Sequence, residues 1–163
     1  MTITEDFRIA LTKLVYPVAI VSGLDSGNNS SAITVSSLTS ISFEPPSLLV
    51  CINKESSFSS AVKKNNFVNI NLLHPSQKEI STICSNPNKK LERFNNEFWS
   101  YDKNNIPYLK SSQSVLFSKI ESYISYGTHY IVVMKIFKTL NLRDSFEPLL
   151  YGNQKYIDLS KLI

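Results

Sequence analysis

Glycine is scarce in this chain: four residues, at positions 23, 27, 127 and 152, in a length of 163. The dinucleotide fingerprint G-x-G-x-x-G and the phosphate loop G-x-x-x-x-G-K-[ST] both rely on closely spaced glycines that let backbone approach a phosphate. The spacing here excludes both. Two cysteines, Cys51 and Cys84, cannot build a disulfide framework; Cys51 lies in the apolar run SLLVCI, and a reducing cytoplasm is the expected setting. His74 and His129 are the only histidines. No His, Cys, Asp and Glu cluster stands at metal-ligand spacing, so no metal is expected, and there is no nucleophile elbow. Apolar runs of about 18 residues are absent, so no membrane span is expected. The N-terminus carries Glu5 and Asp6 in place of a basic-then-apolar signal pattern. A chain with so little chemistry of its own points to a cofactor or to pure binding.

What is present suggests one globular domain over residues 1–163, long enough to bury a core unaided. The formal net charge is +4, with local concentrations only at Lys63-Lys64 and Lys89-Lys90. That balance suits a solvated basic surface or a small anionic ligand. A nucleic-acid-binding barrel would need aromatics interleaved with Lys and Arg in a groove, and no strand-like segment shows that pattern, so no nucleic-acid partner is expected.

The spacing predicts an amphipathic helix over 3–14, opened by a Thr2-to-Glu5 capping box. Strands follow at 16–22, 32–43 and 47–53, with turn chemistry at 23–29 and a corner at Pro45-Pro46. A short helix is expected to start near Ser56 or Ser57, then a strand from Phe67, then a second capping box from Ser76 to Glu79 ahead of Ile80, Ile83 and Cys84. Residues 85–112 are rich in Asn, Lys and Pro; they read as a long loop with at most one helical turn, and such loops are often functional. The remainder is β: 114–126, 129–140, and a hairpin turning at Gly152-Asn153. Short strands with few helices suggest a small antiparallel barrel.

Two stretches could carry chemistry. In the run ITVSSLTSIS, Thr34, Ser36, Ser40 and Ser42 alternate onto one face of the expected strand. If that face is buried, its hydroxyls need partners, which a planar heterocycle with carbonyls and ring nitrogens would supply; the plain alternative is an exposed edge strand. Asn53, Lys54, Ser56 and Ser57 cluster where a helix is expected to begin, and a helix N-terminus attracts phosphate; the plain alternative is serine capping. His74 precedes Pro75 at a strand-to-helix turn and reads as structural. His129 follows Gly127 and Thr128 between two long strands, where a hydrogen-bonded strand-end histidine is the plain reading.

Taken together, the run from Thr34 to Ser42, Glu44-Pro45-Pro46, Leu48 to Asn53 and Ser56-Ser57 resembles the signature of the flavin reductase-like FMN-binding split barrels. The family includes small reductase components of two-component monooxygenases. Phe67 to Asn71 resembles its next strand. Glu92-Arg93-Phe94, Trp99 and Pro107 fall in its flavin-covering region. Gly127-Thr128-His129 resembles its Gly-Asp-His turn, and Pro148 to Tyr151 with Tyr156 its C-terminal hairpin. Three positions depart from the pattern: Val18 after Pro17, where the family often has Thr-Gly, Ala32 before the hydroxyl run, and Thr128 in place of an acid.

The resemblance implies a mainly β, Greek-key antiparallel split barrel with a few peripheral helices, working as a cytoplasmic homodimer. It implies NAD(P)H-dependent reduction of FMN or FAD, with reduced flavin passed to a partner monooxygenase. The flavin would be bound by Thr34, Val35, Ser36, Ser37, Cys51, Ile52, Asn53, Lys54, Ser56, Ser57 and Phe94, with His129 as the catalytic residue beside the nicotinamide. Phe94 and His129 would reach a flavin held largely by the other subunit. The alternative on the same fold is a flavoprotein that retains FMN to oxidise or bind another small molecule.

Overall fold

The computed structural model describes residues 2–159, so the single domain expected over 1–163 runs past the described residues at both ends. Thr2 caps the first helix, α1 (Ile3–Leu11): its Oγ1 accepts from Glu5 N, and Glu5 Oε2 accepts from Thr2 N. The helix is three residues shorter than expected and buries no side chain. Its periodic apolar residues face outward, with Ile3 84% and Phe7 60% exposed.

The chain then forms β1 (Val15–Pro17), β2 (Ala19–Leu24), β3 (Ser30–Val35), β4 (Thr39–Phe43), β5 (Pro46–Asn53) and β6 (Phe67–Leu72). After α2 (Lys78–Ser85) come β7 (Trp99–Tyr101), β8 (Pro107–Leu109), β9 (Ser114–Tyr126), β10 (His129–Asn141), β11 (Leu150–Gly152) and β12 (Lys155–Ile157). Seven strands make one antiparallel sheet in the order β3-β2-β6-β9-β10-β5-β4. The sheet curls on itself: Ser37, just past the β3 edge, donates from Oγ to Cys51 O on β5 and accepts from Cys51 N, at 3.2 and 2.9 Å. Inside lie Val21, Val50, Ile52, Val68, Ile70, Ile120, Val132 and Met134, drawn from five strands. A second apolar cluster, around Ile20, Leu73, Ile80, Leu109 and Trp99, joins the barrel to α2 and the β7–β8 hairpin.

The single strand expected over 32–43 is two strands. The chain breaks at residues 36–38, where it crosses from one edge of the sheet toward the other. Thr34 therefore does not share a face with Ser40 and Ser42, which lie on β4 at the opposite edge. The corner at Pro45-Pro46 is a tight β4–β5 hairpin pairing Phe43 with Pro46. The second capping box sits two residues earlier than expected. His74 Nδ1 accepts from Ser76 N, and Gln77 Oε1 accepts from His74 N, opening a 3-10 turn, Pro75–Gln77, that leads into α2.

The expected loop over 85–112 is folded. A 3-10 segment, Pro87–Glu92, and the β7–β8 hairpin lie within it. Buried asparagines on β6 pin it: Asn71 donates to Ile20 O (2.9 Å) and accepts from Leu109 N (2.7 Å), and Asn69 donates to Ile106 O and Pro107 O (3.3 Å each). The C-terminal turn is Asn153-Gln154, with φ +46° and +60°, one residue later than expected. Gly152 is inside β11, where a Cβ would stand 2.8 Å from Leu14 O and from Ile157 Cδ1. Its lack of a side chain serves close packing, not the turn.

Candidate functional site

Two pockets with shared walls run along the seam between β3, β5 and α2. The first, of about 390 Å³, is lined by Thr34, Asn53, Glu55, Ser56, Ser57 and Arg93 among others. The second, of about 210 Å³, shares Thr34 and continues along Val18, Val35, Ser36, Tyr151 and Tyr156. Tyr151 and Tyr156 meet edge-on at 5.5 Å between ring centroids. Ser36 and Ser37 also border a third, larger pocket of about 690 Å³.

The first pocket is built around Arg93, which the resemblance placed in the flavin-covering region but which was not among the expected binding residues. Arg93 is 4% exposed. Its Nη1 donates to Ala32 O (2.8 Å) and Ser57 Oγ (2.9 Å), and its Nη2 to Asn86 O (3.1 Å). Its Nε is buried with no partner. No carboxylate answers the charge: the ion pairs among the described residues are His74–Glu147 and Lys89–Glu92. Burial pushes the neighbouring Cys84 thiol up to about 12, so it is neutral at pH 7. Burial also lowers the Arg93 pKa, but a guanidinium stays charged in proteins. An uncompensated buried cation is costly, and an unpaired buried N–H adds to that cost. An anion seated in the pocket against Arg93, Ser56 and Ser57 would relieve the first of these costs.

Among the residues proposed from sequence, Thr34, Val35, Ser36, Ser37, Asn53, Ser56 and Ser57 line these connected pockets. Thr34 Oγ1 donates to Ser81 O at 2.7 Å, so its hydroxyl already has a partner. The expected helix at Ser56 or Ser57 is instead a turn, followed by a 3-10 stretch, Ser59–Ala61. Three residues of helix make no useful dipole, so the cation at this end is Arg93. Lys54 does not line the pockets; its Nζ donates to Gly127 O at 2.7 Å and lies 5.6 Å from the Tyr130 ring centroid. Ile52 is fully buried in the core, and Cys51 meets Ser37 through its backbone. Phe94 packs on Trp99, 4.9 Å between centroids. His129 pairs with Asn53 across β10 and β5, one residue pair from the pocket wall. Its Nδ1 lies 2.8 Å from Thr128 Oγ1, so a neutral hydroxyl holds the imidazole where the resemblance leads one to expect an acid. The other two departures touch the site as well: Ala32 supplies a carbonyl to Arg93, and Val18 lines the second pocket.

A split β-barrel with a groove ending at an unanswered cation is the class of protein that fold and site define. The chain belongs to the family of the flavin reductase like domain, which matches residues 11–160. It is 30% identical over 158 residues to the FMN reductase (NADH) RutF of Stutzerimonas stutzeri, covering 97% of this chain and 90% of that protein. It is 27% identical over 153 residues to the reductase component of the FADH(2)-dependent resorcinol hydroxylase of a Rhizobium species, covering 93% and 85%. Its fold superposes on the flavin reductase HpaC, solved with NADP+, with a TM-score of 0.85 at 24% identity over 97% and 99% of the two chains. Among the described residues no helix is long and apolar enough to cross a membrane.

Proposed function

We propose that this chain is an NAD(P)H:flavin oxidoreductase that binds FMN, or FAD, in the groove and reduces it with a nicotinamide donor. The observation that carries the reading is Arg93: buried, charged, in no ion pair with a described residue, and hydrogen-bonded through Nη1 to Ser57 at the wall of the pocket. A flavin phosphate is the anion this end would hold. The isoalloxazine would then extend along Thr34, Val35 and Ser36 toward the paired tyrosines. Bound flavin supplies the acceptor for a hydride from the donor. The residues of the groove would orient the two rings against each other and exclude water. His129 acts as a positioning group near the nicotinamide, with its ring orientation fixed by Thr128. No proton need pass through it for a hydride to transfer.

The chain is proposed to act as a single domain and a homodimer. Exposed apolar residues, Phe7 on α1, Phe43 on β4 and Ile124 on β9 among them, support a covered face. Phe94 and His129, which stand outside this chain's own pockets, are proposed to serve a groove of the second subunit. The hydroxylase-component relative supports delivery of reduced flavin to a partner monooxygenase, and two free cysteines fit a cytoplasmic setting.

The test is steady-state donor oxidation in air with FMN or FAD added in turn. NADH or NADPH should be consumed only when flavin is present, saturably in both. Tight flavin binding without donor oxidation would instead support a flavoprotein that keeps FMN for another substrate.

A further inference from the structure

Away from the groove, the outer wall of the barrel gathers cations that nothing answers. Ile120 packs into the barrel interior, so its neighbour Lys119 on β9 faces outward. Lys135 on β10 is directly opposite Lys119. Side chains paired across strands leave the sheet on the same side, and like charges placed so are destabilising. Lys138 is opposite Phe117, which shares the outer face with Lys119. The turn before β6 adds Lys63 and Lys64: Asn65 N donates to Ile120 O and Ile120 N donates to Asn66 O, which sets that turn beside the same stretch of β9. None of these lysine ammonium groups makes an ion pair or a hydrogen bond with a described residue. Glu121, exposed two residues past Lys119, is in no ion pair either. Two half-exposed rings stand among the lysines. Phe67 on β6 is opposite Lys119, and Phe137 lies at a bulge in β10; they meet edge-on at 5.7 Å between centroids.

We propose that this face docks a partner protein through an acidic surface that also carries apolar side chains. Charge complementarity is the first argument. Opposed lysines repel one another in the free chain, and a carboxylate seated between Lys119 and Lys135 turns that repulsion into attraction. The exposed rings of Phe67 and Phe137 offer the apolar contact that a docked protein surface covers. A second copy of the chain does not fit, because a two-fold contact through this patch would set lysines against lysines. Single-stranded nucleic acid fits poorly too. Bases need open aromatic faces to stack on, whereas Lys119 Nζ lies 5.7 Å from the Phe67 centroid and the two rings stand at 86° to each other, so they form no flat platform. Position is the last argument. β9 is the middle strand of the seven, while the groove follows the seam where β5 meets β3. A partner seated on β6, β9 and β10 therefore leaves the groove open, and the inference does not depend on what the groove binds.

The probes are two synthetic acidic polypeptides, polyglutamate and a random copolymer of glutamate and tyrosine, with an oligothymidylate for comparison. The triple variant Lys119→Gln, Lys135→Gln, Lys138→Gln is set against Lys13→Gln, Lys90→Gln, Lys155→Gln, which removes the same charge from other parts of the surface. Wild type should bind the copolymer more tightly than either other probe. The patch variant should lose about tenfold or more in copolymer affinity, three exposed charge contacts together, and the control variant less than about threefold. Phe137→Ser, which changes no charge, should weaken the copolymer by about threefold or more and leave polyglutamate unchanged. Lys63→Gln with Lys64→Gln, in a turn outside the sheet, should weaken the copolymer in the same sense, so the test survives if the triple variant fails to fold. Mass by light scattering should match wild type throughout. Equal losses in the patch and control variants would overturn the proposal, leaving net charge as the whole effect. Oligothymidylate bound as tightly as the copolymer, and lost in the same variant, would give the face to nucleic acid. A fall in mass in the patch variant would give it to a second copy of the chain.

Discussion

Replacing Arg93 with glutamine removes the guanidinium at the end of the groove while keeping an amide that can still donate to Ala32 O. In the wild type, Nη1 donates to Ala32 O and Ser57 Oγ and Nη2 donates to Asn86 O, which leaves one Nη2 N–H unused. A phosphate seated against the guanidinium would gain at least one charge-assisted hydrogen bond, worth roughly 1.5 to 3 kcal/mol net. That is about a 10- to 150-fold loss of FMN affinity in Arg93→Gln, at about 1.4 kcal/mol per decade. Riboflavin, which lacks the phosphate, should lose almost nothing. The same number appears in stability. At FMN near 100 times its wild-type Kd, wild type should gain about 2.7 kcal/mol, and a tenfold weaker binder only about 1.4 kcal/mol. Fluorescence titrations with FMN and riboflavin, and melting curves with and without FMN, measure both. If Arg93→Gln keeps the wild-type ratio of FMN to riboflavin affinity, Arg93 is only a tie holding the segment after α2 against β3.

The remaining predictions follow from the same geometry. Ser57→Ala should weaken FMN by about tenfold with little change for riboflavin. Lys54→Ala should change FMN affinity less than about twofold, because its ammonium is bound at Gly127 O; a large phosphate-specific loss in a titration would contradict that placement. His129→Ala should leave FMN affinity unchanged and raise the KM for NAD(P)H or slow flavin reduction in part. His74→Ala should change neither but should lower the melting temperature, since it removes a cap typically worth about 1 kcal/mol and the contact to Glu147 (2.8 Å). Gly152→Ala should destabilise by about 1 to 3 kcal/mol in a denaturant melt, because its Cβ would stand 2.8 Å from the Leu14 carbonyl.

Local signals were legible in the sequence where the chain answers to its own neighbours. The Thr2–Glu5 cap, the Pro45-Pro46 corner and the strand from Phe67 all formed where residue spacing places them. The hydroxyl run was legible as a site segment but not as a break, because the break at residues 36–38 is set by Ser37 reaching the backbone of Cys51, fourteen residues on. The segment over 85–112 looked structureless because what orders it lies elsewhere, in Asn69, Asn71 and Ser22. Two asparagines alternating within the apolar strand FVNINL were the available sign of a buried polar anchor. Arg93 was hidden for the same reason: its partners are 61, 36 and 7 residues away in sequence, and only tertiary structure shows that it lacks a counter-charge. The amphipathic pattern of α1 was real, but periodicity says which residues share a face, not that the chain itself covers that face.

The central claim is that this groove brings a nicotinamide donor onto a bound flavin. Anaerobic single-turnover mixing of the protein, charged with FMN, against increasing NADH and then NADPH tests it most directly. The oxidised-flavin absorption band should bleach in one protein-dependent phase whose rate saturates with at least one donor. Bleaching no faster than free FMN with the same donor, at every concentration, would contradict the account.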